Sequence, residues 1–136
     1  MNPRIAYEMA YYDPLKFKLH KEELESVIAT SPEYSLMYVR EFIPNMRVKL
    51  FENAIMQDSK YTYMYVLQVL KRKREEVFDN AMRHGYNWTW FYIEDIVCDR
   101  FELGEHTISF SKFWISHYRN IIKKDEDKTS FYYKII

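Results

Sequence analysis

An all-α fold is predicted, built from tandem antiparallel helix-hairpin repeats that form a short solenoid or bundle capped by a long C-terminal helix. The first observation behind it is repetition. Leu24–Ile43 (LESVIATSPEYSLMYVREFI), Phe51–Leu70 (FENAIMQDSKYTYMYVLQVL) and Phe78–Val97 (FDNAMRHGYNWTWFYIEDIV) carry nearly the same phrase at a constant period (51 − 24 = 27 and 78 − 51 = 27). Self-similarity at such a period marks stacked supersecondary units, none of which can bury its apolar face alone. The second observation is that the 136 residues include only two glycines and four prolines, too few for a strand-and-turn protein or a glycine-rich phosphate loop. The third is apolar spacing at i, i+3 and i+4, as in Leu24, Val27 and Ile28, which puts those side chains on one helical face.

The elements follow in order within a single domain, 1–136. Residues 2–14 read as a half-repeat: Asn2 supplies an N-cap oxygen, Pro3 suits the first helical position, and Pro14 ends the helix near Tyr12. Residues 15–20 are expected to be a connector. The first full repeat, 20–45, has helices over 20–30 and 32–43, divided by the cap Ser31-Pro32 and ended by Pro44. The second, 46–73, has helices over 46–56 and 59–72 with a cap at Asp58. The third, 74–100, has helices over 75–83 and 87–99, broken at His84-Gly85, where glycine is expected to take the left-handed C-cap geometry. In the cap, 101–136, a long helix is expected over 107–124, then a charged turn at 123–128 and an apolar end, TSFYYKII, over 129–136.

Tyr34, Tyr61 and Trp88 recur at one position and Tyr38, Tyr65 and Tyr92 at another four residues on, followed by Phe42, Val69 and Ile96. The i, i+4 spacing places all three series on one stripe, which is expected to be core. Aromatics make up 18% of the chain, and thin repeat units need large rings to fill their interior.

Composition narrows function. Twenty basic and twenty acidic residues cancel, so no general attraction to nucleic acid or anionic membrane is implied. No apolar run approaches the ~20 residues of a membrane span and the first residues hold no signal-peptide core, so a soluble, cytoplasmic protein is expected. The single Cys98 excludes an intramolecular disulfide and any multi-cysteine zinc site. A metal or nucleophilic site could be imagined from Cys98, His106 and His117 with Glu94, Asp95, Asp99, Glu102 and Glu105 nearby, but the spacing fits no closed zinc pattern. Cys98 is read instead as a small buried residue and the acids as a solvated face. No nucleophile elbow, metalloprotease, P-loop or dinucleotide motif is present; no enzyme, metal or cofactor is expected.

The phrases NPRIAYEMA, SPEYSLMYV and DSKYTYMYV resemble a tandem helical repeat of many uncharacterised bacteriophage and large-virus proteins, of the general form D/S-P-x-x-A-Y-x-Y-A followed by a short helix with basic residues. The likeness spans about residues 2–100, with Thr, Ser, Tyr and Val replacing most of the small alanines. It implies a phage or viral origin and no established catalytic site.

The expected function is therefore a non-enzymatic protein-interaction module, phage-encoded, that binds and modulates or inhibits a host defence or transcription component in the host cytoplasm. Tyr63, Leu67, Lys71 and Arg74 follow at helical spacing on a strip away from the core stripe, and the counterparts of Tyr63 one repeat either side are Leu36 and Trp90. Stacking demands sameness whereas recognition permits difference, so Tyr63, Lys71, Arg74 and Trp90 are the candidate partner-binding residues. The other reading of these four is packing between repeats and helix-end charge. The basic run Lys71-Arg72-Lys73-Arg74 also offers an alternative class, a nucleic-acid-binding module, beside its plain role of complementing a helix C-terminus.

Overall fold

The fold is that of a computed structural model whose residues 1–122 are described. Among them all regular structure is helical: ten α-helices, one π-helical turn and one 3₁₀ turn, with no strand. The chain divides into two compact units, Met1–Tyr61 and the residues from Thr62 onward. The expectations for the charged turn at 123–128 and for the end, 129–136, lie outside the described residues.

The first unit holds α1 (Pro3–Tyr12), α2 (Pro14–Leu19), α3 (Lys21–Ile28), α4 (Pro32–Phe42), α5 (Lys49–Ile55) and the start of α6 (Ser59–Gln68). Three of these helices start alike. The side-chain oxygens of Asn2, Asp13 and Ser31 accept from the amides of Ile5 (2.9 Å), Lys16 (3.3 Å) and Tyr34 (3.2 Å), and each cap precedes a proline. The cap thus satisfies an amide the helix leaves orphaned, and proline gives up one that would have been orphaned anyway. The same rule corrects the expected connector at 15–20: Asp13-Pro14 ends α1 and also starts α2. α1 packs against α2, α3 and α4, and α4 packs on α5. Their buried centre includes Tyr7, Leu24, Ile28, Leu36, Tyr38 and Phe51.

The second unit holds the rest of α6, then α7 (Glu76–Ala81), α8 (Asn87–Tyr92), the π-helical turn Ile93–Val97, the 3₁₀ turn Glu102–Gly104, α9 (Glu105–Ile108) and α10 (Lys112–Ile121). Three expectations are corrected here. α6 stops at Gln68 rather than 72: Lys71 and Arg72 take left-handed backbone (φ 54° and 68°), and the Arg72 amide reaches back to the Val66 carbonyl at 2.8 Å. At the break after α7 the left-handed residue is Tyr86 (φ 52°), not Gly85. Gly85 donates its amide to Thr89 Oγ1 (2.7 Å), while the Thr89 hydroxyl donates to the Met82 carbonyl (2.7 Å). The single long helix over 107–124 is instead two, because Ser111 is extended and caps a new start by accepting the Trp114 amide at 3.3 Å.

One hydrogen bond recurs. Tyr38 donates to Glu25 (2.7 Å), Tyr92 to Asp79 (2.5 Å) and Tyr118 to Glu105 (2.9 Å), in each case 13 residues back. Each bond ties a buried tyrosine of one helix to a carboxylate on the helix before it, so the polar end of a core ring is satisfied by charge. Glu52 and Tyr65 stand at the same register in the second repeat, and both are buried. The core series Tyr38, Tyr65 and Tyr92 is indeed buried, whereas Tyr34, Tyr61 and Trp88, expected beside it, are only half-buried. They flank the core rather than fill it.

Candidate interaction surface

The four residues expected to line one binding surface have different surroundings. Tyr63, on α6, is half-buried and donates its hydroxyl to Asp95, with its ring against Trp88 (5.8 Å) and Phe91 (6.2 Å). Burial and then the bond to Asp95 push its hydroxyl pKa up to about 12. Trp90 is only 5% exposed and meets the His117 ring edge-on at 6.2 Å. Because α6 ends early, Lys71 and Arg74 do not continue the Tyr63–Leu67 face. Lys71 is exposed on the left-handed turn. Arg74 instead turns to the next helix, pairing with Asp79 (2.9 Å) and lying 5.9 Å over the Phe101 ring. Asp79 thereby holds both Arg74 and the Tyr92 hydroxyl. Arg74 joins a polar cluster at the edge of the core while its side chain stays 40% exposed.

The missed partners had a readable signal in one case. A carboxylate 13 residues before each core tyrosine could have been found by aligning the repeats. Asp95, 32 residues from Tyr63, had no such periodic signal.

A surface that strip did not include is prominent in the first unit. α1, α2 and α4 wall a groove of about 410 Å³, floored by Ala10, Phe17, Tyr38, Phe42 and Ile43. Lys18 and Lys21 stand in its lining and, among the described residues, no carboxylate does. Tyr38 offers no polar handle there, since its hydroxyl is engaged by Glu25 and burial raises its pKa, with the bond to Glu25 adding to the rise. Beside the groove lies exposed apolar surface. Tyr12 is 84% exposed, Leu15 78% and Leu19 81%, and the half-exposed Tyr11 packs on Phe42 at 4.9 Å. On α2, residues 14, 17 and 18 face the groove, with Lys21 beside them at the start of α3, and Leu15 and Leu19 follow immediately round the helix from Lys18.

A smaller concavity in the second unit, about 270 Å³, is lined by Trp90, Glu94, Cys98, His117, Asn120 and Ile121. Cys98 is exposed, not buried as expected, because it leaves the π-helical turn in left-handed backbone (φ 54°) and turns outward. Its thiol donates to the Glu94 carbonyl at 3.3 Å, and His117 Nδ1 lies 2.9 Å from the Phe113 carbonyl oxygen. Other members of the imagined site are engaged elsewhere: Glu105 accepts from Tyr118 and pairs with Arg100, and Asp95 accepts from Tyr63. Among the described residues no group of three His, Cys, Asp or Glu side chains is placed to hold a metal ion, and no helix is long and apolar enough to cross a membrane.

No family model, curated protein or solved structure matches the chain. The class that the geometry defines is therefore the coarse one, an all-helical protein with an apolar groove and adjoining exposed apolar side chains.

Proposed function

We propose that this is a non-enzymatic protein-interaction module, phage-encoded, that binds and modulates a host protein of defence or transcription in the host cytoplasm. The observation that carries the interaction reading is the exposed apolar surface of the first unit, where Tyr12, Leu15 and Leu19 adjoin the groove. Solvent-facing apolar side chains gathered around a concavity, rather than scattered singly, are the mark of a binding face. The phage origin rests on the likeness of the repeat phrases to phage and viral repeats. Tandem antiparallel hairpins at a period of 27, forming a short solenoid or bundle, are part of the same proposal. It is supported by the three tyrosine–carboxylate bonds at one spacing, the last of which extends the register beyond Phe101 with one residue deleted (118 − 92 = 26). The test is capture with the tagged full chain from the natural host. One stoichiometric host protein is expected; an empty capture in every growth phase counts against the module.

A second reading is favoured by one feature. Lys71, Arg72 and Lys73 are all exposed, and the left-handed turn projects them from the end of α6. Such a cluster suits a phosphate backbone. Co-purified nucleic acid, lost in a Lys71→Glu/Arg72→Glu/Lys73→Glu variant, would establish it.

A further inference from the structure

We propose that the groove between α1, α2 and α4 docks an acidic, amphipathic helical segment of a partner protein. The inference rests on the interaction reading above and adds the place and the partner's chemistry. Charge comes first. The two charged residues in the lining are Lys18 and Lys21, and neither has an ion-pair or hydrogen-bond partner among the described residues. Among the described residues no carboxylate stands in the lining, and Glu25 on α3 is held by Tyr38. An occupant therefore meets an apolar floor with positive charge on one side, and carboxylates flanking its apolar residues would meet those lysines.

Shape and extent favour a helix over a small ligand. The groove volume is that of an ordinary ligand site, but the apolar surface runs on past it over Tyr12, Leu15 and Leu19. A small acid would fill the hole and leave those three in water. A helix can set one or two apolar residues in the groove and lay the next turn over the α2 leucines, the i, i+3, i+4 pattern by which helices occupy grooves. A membrane surface is disfavoured by the same geometry. Lipid could cover Leu15 and Leu19, but a flat bilayer would leave the concavity under Phe42 and Ile43 unfilled.

The experiment pans a phage-displayed random peptide library against the full chain, with two variants as controls: Lys18→Glu/Lys21→Glu, and Leu15→Ser/Leu19→Ser. All the substituted side chains are exposed, and circular dichroism checks that both variants keep their helix. Enriched peptides should carry two or three apolar residues at helical spacing with Asp or Glu beside them. A labelled synthetic copy should lose roughly ten-fold or more in affinity to each variant, and the lysine variant should enrich Lys- and Arg-bearing peptides instead. The proposal is overturned if nothing is enriched, if the enriched peptides are neutral or basic, or if both variants bind the acidic peptide unchanged. It is also overturned if the chain binds vesicles of equal parts phosphatidylcholine and phosphatidylserine while ignoring peptides. The two readings fail separately. If the wild type and both variants capture the same host protein equally, the groove is wrong and the module stands; if none captures a partner, the module itself fails.

Discussion

The bond between Tyr92 and Asp79 offers a direct measure of what the recurring tyrosine–carboxylate pair contributes. The Tyr92 ring is fully buried and packs on Phe101 at 5.6 Å. Tyr92→Phe keeps that ring and removes only the oxygen, which donates to Asp79 at 2.5 Å. Asp79 keeps Arg74 at 2.9 Å, so the carboxylate is not stranded. The expected cost is that of one hydrogen bond to a charged acceptor, about 1.5–3 kcal/mol. For a chain of this size that is a fall in Tm of roughly 5–15 °C. Asp79→Asn should cost less, about 1–2 kcal/mol, because Tyr92 can still donate to the amide oxygen and the ion pair to the part-exposed Arg74 contributes little.

The chain carries its own control. Tyr11, on α1, is 47% exposed and makes no such carboxylate bond among the described residues. Tyr11→Phe should therefore stay within ~0.5 kcal/mol of the parent. Urea unfolding followed by circular dichroism, with the Tyr92→Phe/Asp79→Asn double variant to close the cycle, gives the coupling directly, expected at about 0.5–2 kcal/mol. If Tyr92→Phe proves as silent as Tyr11→Phe, or the two changes at the pair add without coupling, the bond does not hold the hairpin and the reasoning is refuted.

Other outcomes follow from the same geometry. Burial, reinforced by the carboxylate in each case, raises the hydroxyl pKa of Tyr38, Tyr92 and Tyr118 above its ordinary value. The folded state thus holds these protons more tightly than the unfolded one. Their stabilisation is complete below about pH 10 and is lost above it, at about 1.4 kcal/mol per pH unit for each tyrosine, so a pH titration at fixed urea should show unfolding begin just above pH 10 and none between pH 7 and 9 from this source. Gly104→Ala would bring its Cβ to 2.7 Å from Thr89 Cγ2 and 2.8 Å from Phe101 Cδ2; we expect about 1–3 kcal/mol of destabilisation by urea titration. Arg72→Gly relieves left-handed backbone at an exposed position and should raise stability by up to ~1 kcal/mol; a loss would mean the side chain holds the turn.

Much of the fold was legible because caps and prolines act locally. Asn2-Pro3 and Ser31-Pro32 start helices where the sequence said they would, since one side-chain oxygen and one missing amide decide the matter. Asp13-Pro14 carried the same signal and was overlooked, which hid α2. The end of α6 was not legible: Leu70 to Arg74 contains neither glycine nor proline, and no propensity announces two consecutive residues in left-handed backbone. The last helices were masked by a register one residue short, although Ser111, Trp114 and Tyr118 repeat Ser31, Tyr34 and Tyr38 at unchanged mutual spacing. Variation between repeats does not by itself imply exposure: Trp90, whose counterparts are Leu36 and Tyr63, is 5% exposed and packs against His117.

That distinction also locates where a partner can act. Where the chain repeats, its side chains are committed to packing: the tyrosine pairs close each helix on the one before, and the Ser35 and Thr89 hydroxyls return to the carbonyls of Ile28 and Met82, 7 residues earlier. Where it departs from repetition, side chains are released. The turn at Lys71 and Arg72 exposes three cations, and the π-helical turn ends in an exposed thiol. The largest departure is α2, an additional helix where the later repeats have only a linker after their second helix. It contributes a single buried residue, Phe17, to the interior, and exposes Pro14, Leu15, Lys16, Lys18 and Leu19. A helix that buries one side chain and presents five is a poor investment in stability, since exposed leucines gain nothing from folding. Under the docking proposal, this exposed face of α2 is the one that the partner helix covers.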